Sequence, residues 1–338
     1  MPSAFHDGAG REDIGLGATL VTGAAGFIGH AVCLRLAAAG TLPVAVDSFD
    51  PYYEPALKRD RAANLSAVGV PVHTLDIADP GPLAALATRE GVTRVVHLAA
   101  QAGVRHSIAA PFAYERANLA GHLSVLECCR RLPGFTHLVY ASSSSVYGDR
   151  PAEGGRFSED DRVDHPASLY AATKRSGELM SESYASLYGL PQSGLRFFTV
   201  YGPWGRPDMA YFSFTRRILA GEPIEVFGEG RMRRDFTYID DIVDGILGVL
   251  DRPPERGVNR LLNIGNDRPE RLLDFVSVLE RATGRDAVKV MRPMQPGDVT
   301  ETWADIDRIR ALTGYAPRTA LAEGLPRFVA WYRERYRA

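Results

Sequence analysis

The chain is predicted to be an α/β protein built on a doubly wound parallel sheet with a smaller C-terminal lobe. Apolar, strand-like runs alternate with amphipathic stretches from Ala18 to about Phe198, as expected of a parallel sheet with crossover helices. A glycine-rich turn follows the first of these runs. Beyond Phe198, prolines break the chain into shorter elements. We therefore expect a domain over residues 18–198 and a lobe over residues 199–338, from which some elements return to the first domain.

Composition and charge exclude two broad classes of function. The 338-residue chain is 45% hydrophobic with a formal net charge of −2, so it can bury a large core. It lacks the basic excess of a nucleic-acid-binding protein, and no apolar run reaches the length of a membrane span. We expect neither nucleic acid nor a membrane as a partner.

Cysteine usage and the N-terminus indicate a cytoplasmic protein. Cys33, Cys128 and Cys129 are too few for a disulfide framework and lack zinc-ligand spacing, so we also expect no metal. Residues 1–17 are polar and glycine-rich without the pattern of a signal peptide, and we expect a disordered tail there.

The glycine-rich turn lies between a short apolar run, residues 18–21, and an amphipathic stretch through Leu36. Its spacing is G-x-x-G-x-x-G. Glycines in such a turn let backbone N–H groups approach a pyrophosphate at the positive end of a helix. Because strand, turn and helix follow in this order, we predict a Rossmann dinucleotide site. Its expected cofactor contacts in the turn are Gly23, Gly26, Phe27, Ile28 and Gly29.

An acidic residue, Asp47, ends the next predicted strand, eighteen residues past Gly29. A carboxylate there is placed to hydrogen-bond the adenosine ribose hydroxyls and would repel the 2′-phosphate of NADP, so we predict NAD as the cofactor. Asp76 and Ile77 follow the third strand and are expected to reach the adenine. A helix N-terminal cap is an alternative interpretation of Asp76.

A tyrosine and a lysine stand four residues apart in a chain that otherwise prefers arginine. Lys174 is one of three lysines among 39 lysine and arginine residues, and Tyr170 precedes it. On a helix the two side chains share one face, so the ammonium and a cationic nicotinamide ring can lower the tyrosine pKa. Tyr170 is thus a candidate general base, with an ordinary helical pair as the alternative.

Four consecutive serines, residues 142–145, follow another apolar run. Serines at a strand end are often turn formers, which is the alternative interpretation here. The strand, the Tyr-Lys helix and the glycine turn nevertheless occur in the order expected of one site.

These motifs resemble the extended short-chain dehydrogenase/reductase family over residues 19–331. The resemblance implies a catalytic triad in which the serine falls on Ser143, with Tyr170 as proton acceptor and Lys174 holding the nicotinamide ribose. It also implies that residues 97–103, including Ala99, back the nicotinamide half of NAD.

The resemblance extends to supporting residues and to assembly. His97 is expected to be structural, and Asn118 to support the hydrogen bonds of the active site. Helices predicted near residues 111–131 and 168–188 resemble the pair that forms a four-helix bundle between subunits, so a homodimer is a hypothesis.

Two further motifs, residues 196–210 and 231–241, resemble the signature of UDP-glucuronate 4-epimerases. The resemblance implies that Arg234 binds the diphosphate, for which a guanidinium is suited. It likewise implies that Phe227 contacts uracil and that Asp298 binds the uridine ribose. Considered alone, Phe227 is more typical of a core residue and Asp298 of a turn.

Two substitutions separate the chain from relatives with other chemistry. Sugar-nucleotide 4,6-dehydratases carry an acidic pair, and UDP-glucuronate decarboxylases typically a Glu, where this chain has Ser144 and Ser145. UDP-galactose 4-epimerases carry Asn in place of Thr199. We expect these three hydroxyls to hold a sugar carboxylate, with Arg206 as a charge partner or organiser of its loop.

The resemblance therefore implies NAD-dependent interconversion of UDP-glucuronate and UDP-galacturonate, by C4 oxidation, rotation of the 4-keto sugar and hydride return. The alternatives are a UDP-glucose/UDP-galactose 4-epimerase, then a UDP-glucuronate decarboxylase. A catalytically silent NAD-binding sensor or scaffold is a further alternative. A sensor would need the glycine turn and Asp47 but not the triad.

Overall fold

The computed structural model describes residues 17–149, 155–294 and 299–338. Its strands, in chain order, are β1 (Ala18–Thr22), β2 (Val44–Asp47), β3 (Val72–Thr74), β4 (Val92–His97), β5 (His137–Ser143), β6 (Gln192–Phe197), β7 (Thr199–Tyr201), β8 (Ile224–Phe227), β9 (Arg233–Tyr238), β10 (Asn259–Ile264), β11 (Pro269–Arg271) and β12 (Lys289–Arg292). Apart from Gly17, the predicted tail lies outside the described residues.

The α-helices are α1 (Phe27–Ala38), α2 (Pro55–Ala67), α3 (Pro80–Arg89), α4 (Val104–Ala109), α5 (Pro111–Tyr114), α6 (Gly121–Arg131), α7 (Leu169–Tyr188), α8 (Ala210–Ala220), α9 (Ile239–Leu250), α10 (Leu272–Thr283), α11 (Asp307–Thr313) and α12 (Leu321–Tyr336). Within the described part of the chain, no helix is both long and apolar enough to cross a membrane.

Seven strands form one sheet in the order β3-β2-β1-β4-β5-β6-β10, and every neighbouring pair is parallel. The predicted doubly wound sheet is confirmed. The strand order reverses between β1 and β4, and the carboxyl ends of the strands at such a switch point form a ligand crevice.

Both faces of the sheet are covered by helices because alternate residues of each strand point to opposite sides. On β1, Leu20 belongs to the core cluster that includes α3 and α6 residues. Its neighbour Val21 belongs to the larger cluster that includes residues of α1 and α9.

The seventh strand, β10, comes from well beyond residue 199 and pairs with β6 from Asn259 against Gln192 to Ile264 against Phe197. Most other strands of the C-terminal half form two small sheets, β11-β9-β7 and β12-β8. The division of the chain at residue 199 stays a prediction, since the large sheet takes its edge strand from beyond that point.

The two helices expected from the resemblance differ in regularity. Helix α7 begins after Ser168, whose hydroxyl accepts a hydrogen bond from the Ala171 N–H at 3.1 Å, and ends before Gly189 at a φ of 67°. The stretch 111–131 is interrupted instead: a π-helical segment, Glu115–Ala120, separates α5 from α6. Such wide turns often occur at functional sites.

Candidate active site

A cleft of about 930 Å³ lies at the carboxyl edge of the sheet, bounded by residues of the C-terminal half. All the site residues predicted from the sequence line it, except Asp298, which lies outside the described residues. The glycine turn, the serines, the Tyr-Lys pair and the predicted substrate residues are thus brought into one place.

The glycine turn leaves no room for a side chain. A Cβ on Gly29 would lie 2.1 Å from the Gly23 carbonyl oxygen, and one on Gly26 would lie 2.9 Å from it. Gly23 has a φ of 70°, and its Cβ would meet the Ala99 nitrogen at 2.7 Å. No side chain caps the N-terminus of α1, whose first N–H groups therefore suit a pyrophosphate.

Asp47 is buried at the end of β2 and is held by the same turn. One carboxylate oxygen accepts from the Ala25 N–H at 3.0 Å, and the other from the Phe49 N–H at 2.7 Å. Each oxygen keeps a lone pair for a further donor, such as a ribose hydroxyl. The turn and Asp47 together fit a dinucleotide such as NAD.

Asp76 is oriented by a turn and by an ion pair. One oxygen accepts from the Ala78 N–H at 2.9 Å, and the other from Arg116 at 2.8 Å. Helix α3 has Asp79, not Asp76, at its N-cap position. The alternative interpretation of Asp76 as a helix cap is therefore wrong, because the chain makes another turn before the helix begins.

The predicted triad comes from two neighbouring elements, the end of β5 and the first turns of α7. The Ser143 hydroxyl accepts from the Ser145 N–H at 3.1 Å and donates to the Ser145 hydroxyl at 3.1 Å. Lys174 donates from Nζ to the Ala141 carbonyl at 2.9 Å. The serine and the lysine are thereby anchored to the same strand end.

The charge environment of the triad differs from the expectation. Burial raises the pKa of Tyr170, and the opposing influences come from a hydrogen bond with Ser143 and from the charge of Arg206, not from Lys174. Burial also lowers the pKa of Lys174 to about 8, which Glu178 partly offsets. Burial thus dominates the pKa of Tyr170 in the described chain, and the lowering expected from Lys174 together with a cationic nicotinamide ring stays a prediction.

Asn118 lies in the π-helical segment and joins three elements. Its side-chain oxygen accepts from the Gln101 N–H at 2.8 Å. Its side-chain nitrogen donates to the Gln101 carbonyl and to the Thr173 hydroxyl, both at 3.0 Å. Asn118 thus fixes the segment after β4 against α7, consistent with the expected supporting role.

His97 is buried below the site. Its Nδ1 lies 2.7 Å from the Thr22 hydroxyl, and burial, together with nearby His122 and Lys174, lowers its pKa well below the usual value. A neutral, hydrogen-bonded histidine agrees with the structural role expected from the sequence.

The substrate side of the cleft combines hydroxyls with one compact charged group. Ser144, Ser145 and Thr199 line the wall. Arg206 forms two hydrogen bonds with Asp208, at 3.1 Å from Nε and 2.5 Å from Nη2. Asp208 was not among the residues predicted from the sequence, although its position two residues after Arg206 was a usable signal.

Arg234 and Phe227 lie further along the same wall. The Arg234 guanidinium donates to the carbonyls of Val299 at 2.6 Å and Thr300 at 3.2 Å. Phe227 is half-buried: it packs against the large core cluster and lies under the Arg105 guanidinium, 5.4 Å from the ring centroid. The core and binding interpretations of Phe227 are therefore compatible.

A buried ion pair contacts the strand end that carries Ser143, and neither of its residues was predicted from the sequence to belong to the site. Glu178 accepts from the Ser142 hydroxyl at 2.6 Å and from Arg196 at 2.8 and 2.9 Å. It stands four residues after Lys174 on α7. The same four-residue spacing places Tyr170 and Lys174 on one helix face, so it was also a usable signal for Glu178.

Comparison with known proteins agrees with this geometry. The profile of the NAD dependent epimerase/dehydratase family matches residues 19–265. The chain belongs to this family. A probable UDP-glucuronate 4-epimerase of Rhizobium meliloti (strain 1021) is 45% identical over 335 residues, which cover 94% of this chain and 97% of the relative. UDP-glucuronate 4-epimerase 1 of Arabidopsis thaliana is 47% identical over 331 residues, which cover 94% of this chain and 77% of the relative.

Among solved structures, the epimerase/dehydratase chain resembles the UDP-glucuronic acid 4-epimerase of Bacillus cereus in complex with UDP-glucuronic acid and NAD. The TM-score is 0.87 at 34% identity, covering 94% of this chain and 100% of that one. The resemblance stated from the sequence is thus confirmed. The cofactor expected from the glycine turn and Asp47 is the one on which this family depends.

Proposed function

We propose that the protein interconverts UDP-glucuronate and UDP-galacturonate as an NAD-dependent 4-epimerase. One observation carries the proposal: the Ser-Tyr-Lys triad shares its cleft with three hydroxyls and Arg206, a set suited to a sugar carboxylate. No acid stands at Ser144 and Ser145, where enzymes that eliminate or decarboxylate carry one. The relatives named above act on the same substrate class by name.

The glycine turn would hold the pyrophosphate of NAD, Asp47 its adenosine ribose and Lys174 its nicotinamide ribose. When bound, NAD accepts the hydride from C4 of the sugar and later returns it, so there is no net redox change. The remaining steps depend on the side chains of this chain.

Tyr170 takes the proton of the sugar 4-hydroxyl, while Ser143 shares the hydrogen bond to that oxygen. Burial raises the pKa of Tyr170, so its phenolate requires positive charge nearby. Arg206 supplies such charge, and Lys174 together with a cationic nicotinamide ring would add to it. After the hydride returns, Tyr170 gives the proton back to O4.

Inversion requires the 4-keto sugar to present its other face. The uridine diphosphate must stay bound while the hexose rotates about its bond to the diphosphate. Arg234 and Phe227 would hold the nucleotide, whereas the sugar region is lined mainly by the hydroxyls of Ser144, Ser145 and Thr199, with Arg206 already paired to Asp208. Strong contacts at one end and weaker ones at the other suit such a rotation.

The 4-keto intermediate of a glucuronate is a β-keto acid and loses CO2 when its C5–C6 bond aligns with the carbonyl π system. We propose that Ser144, Ser145 and Thr199 hold the carboxylate in the plane that prevents this alignment. Thr199→Ala and Ser144→Ala should then raise the ratio of UDP-pentose to UDP-galacturonate. An unchanged ratio in both variants would contradict this role.

We further propose a homodimer formed through α6 and α7. These helices carry three solvent-exposed leucines, Leu123, Leu179 and Leu187, whose accessible surface fractions are 41%, 55% and 69%. Light scattering after size exclusion should give twice the chain mass of 36.9 kDa. A single-chain mass would contradict it.

A cytoplasmic location is proposed on the grounds that the cysteines are all free and buried. Fractionation of the native host should recover the protein with cytoplasmic markers, and recovery in another compartment would contradict the proposal.

The test of function is to incubate the purified protein with UDP-glucuronate and follow the anomeric protons by NMR. Growth of a UDP-galacturonate signal to a stable mixture would support the proposal. UDP-pentose alone would indicate a decarboxylase. Turnover of UDP-glucose but not UDP-glucuronate would indicate the neutral-sugar epimerase. No turnover of either, with NAD bound, would favour the sensor.

A further inference from the structure

Arg61 on α2 is a cation buried without an acidic partner. Its side chain is fully buried, and no carboxylate of the described residues forms an ion pair with it. It donates instead to oxygens of Ala25, Tyr53, Trp204 and Gly205 at 2.6–3.1 Å. A buried charge is costly, and stability alone is often served as well by an apolar side chain. The arrangement therefore calls for a reason beyond packing.

The acceptors of Arg61 belong to the two halves of the cleft. On one side is the carbonyl of Ala25, a residue of the glycine turn. The N–H group of the same residue donates to Asp47 at 3.0 Å. On the other are the carbonyls of Trp204 and Gly205, the two residues before Arg206. The guanidinium thus joins the predicted pyrophosphate turn directly to the loop of the predicted carboxylate-binding arginine.

The loop held by Arg61 is not relaxed. Trp204 has a φ of 62°, a conformation that residues other than glycine rarely adopt unless their surroundings impose it. A second contact acts on the other side of the loop, where the Arg206 N–H donates to the Tyr211 hydroxyl at 3.1 Å. Arg61 and Tyr211 therefore hold the peptides around Gly205 from two directions.

His30 adds no positive charge beside Arg61. Its ring lies 5.3 Å from that of Trp204, and burial and the charge of Arg61 lower its pKa to about 3. The histidine is neutral at working pH, so it neither shares nor replaces the charge of the guanidinium.

We propose that Arg61 is a positioning residue, which fixes the Arg206 loop at a set distance from the glycine turn. The proposal rests on the proposed function, in which Arg206 faces the sugar carboxylate while the glycine turn holds NAD. Without Arg61, the carbonyls of residues 204 and 205 lose their donor and the loop is free to relax. The turn keeps its bonds to Asp47 and Val46, so NAD should remain bound.

The test compares Arg61→Met and Arg61→Lys with a matched control, Arg59→Met, an exposed arginine on the same helix. NMR of the anomeric protons gives kcat/KM for UDP-glucuronate and the ratio of UDP-pentose to UDP-galacturonate. NAD content and thermal melting are measured on the same samples. We expect Arg61→Met to lower kcat/KM about tenfold or more, as lost charged hydrogen bonds do, and to raise the pentose fraction with NAD retained. Arg61→Lys should be intermediate and Arg59→Met like wild type.

A double variant identifies the route of the effect. If Arg61 acts through the Arg206 loop, Arg61→Met should change kcat/KM and the product ratio much less in an Arg206→Ala background than in wild type. Fully multiplicative effects would overturn the proposal, as would a folded Arg61→Met with wild-type kinetics and product ratio. Should Arg61→Met fail to fold, the ratio of UDP-pentose to UDP-galacturonate is measured for Arg61→Lys and Tyr53→Phe instead. A raised ratio would support the proposal, and a wild-type ratio in both variants would overturn it. Failure of the wild-type protein to form UDP-galacturonate would reject the proposed function itself.

Discussion

The two halves of the cleft are built differently. The cofactor half is formed by backbone in close contact: the Cβ of an alanine at position 29 would lie 2.1 Å from a carbonyl oxygen. The substrate half is formed by long charged side chains that already have partners, as Arg206 has in Asp208 and Arg234 in the carbonyls of Val299 and Thr300. We therefore expect the first half to select its ligand by shape, and the second by an exchange of polar contacts.

This difference predicts how each half responds to substitution. A change in the cofactor half should distort a closed shape and weaken NAD binding without regard to the sugar. A change in the substrate half should remove one contact among several and leave NAD in place. Lys174 and Tyr170 lie where the halves meet, so their loss should affect chemistry most.

The largest effect is expected for Tyr170→Phe. Removal of a proton-transferring group typically costs about 10²- to 10⁴-fold in rate, so kcat should fall in that range with NAD content unchanged. Single-turnover NMR measures the rate. Tyr188→Phe, an exposed tyrosine on the same helix, is the control. Activity within a few-fold of wild type would place the proton acceptor elsewhere.

Gly29→Ala tests the closed shape of the cofactor half. Overpacking of this kind costs about 1–3 kcal/mol, equivalent to roughly 5- to 150-fold weaker NAD binding. Calorimetric titration of NAD gives the affinity. Gly81→Ala is the control, because a Cβ there meets nothing within 4 Å. Equal affinities for the two variants would remove the steric basis of the comparison.

Arg234→Ala tests the substrate half. Hydrogen bonds to a charged group contribute about 1.5–3 kcal/mol, so UDP should bind roughly 10- to 150-fold more weakly. KM for the UDP-sugar should rise while NAD content stays constant. Arg231→Ala, whose side chain is 80% exposed, is the control. Loss of NAD together with UDP would show that the two halves are not independent.

The smallest effect concerns pH. The Lys174 ammonium persists below its pKa of about 8 and is lost as pH rises through that value. Activity that needs the cation should therefore decline above about pH 8. Glu178 raises this pKa, so Glu178→Gln should move the decline to lower pH. The pH profile of kcat/KM measures where activity declines, and Glu182→Gln, at an exposed residue of the same helix, is the control. A decline that moves to higher pH in Glu178→Gln would contradict the attribution to Lys174.

The same Glu178→Gln variant carries a stability prediction. Its carboxylate pairs with Arg196 in the interior, and breaking a buried pair typically costs about 3–5 kcal/mol. Urea denaturation should record a loss of that size. A loss below about 1 kcal/mol, within the range of exposed pairs, would mean that burial adds little to this interaction.

Local patterns in the sequence were enough to predict the sheet, the glycine turn, Asp47 and the Tyr170–Lys174 helix. These features depend on neighbours within a turn or on alternation along a strand. The glycine spacing reflects clashes among residues 23–29, and the four-residue spacing places two side chains on one helix face.

Tertiary structure alone decided the rest. Nothing near Arg61 in the sequence indicates that it bonds to Trp204, 143 residues away, and nothing near β10 indicates that it pairs with β6. The pKa of Tyr170 follows the same rule: the helical spacing predicts that Lys174 lowers it, yet burial raises it, and the opposing influences come from Ser143 and Arg206. Backbone geometry is governed by adjacent residues, whereas burial and electrostatic environment depend on whichever residues folding brings together.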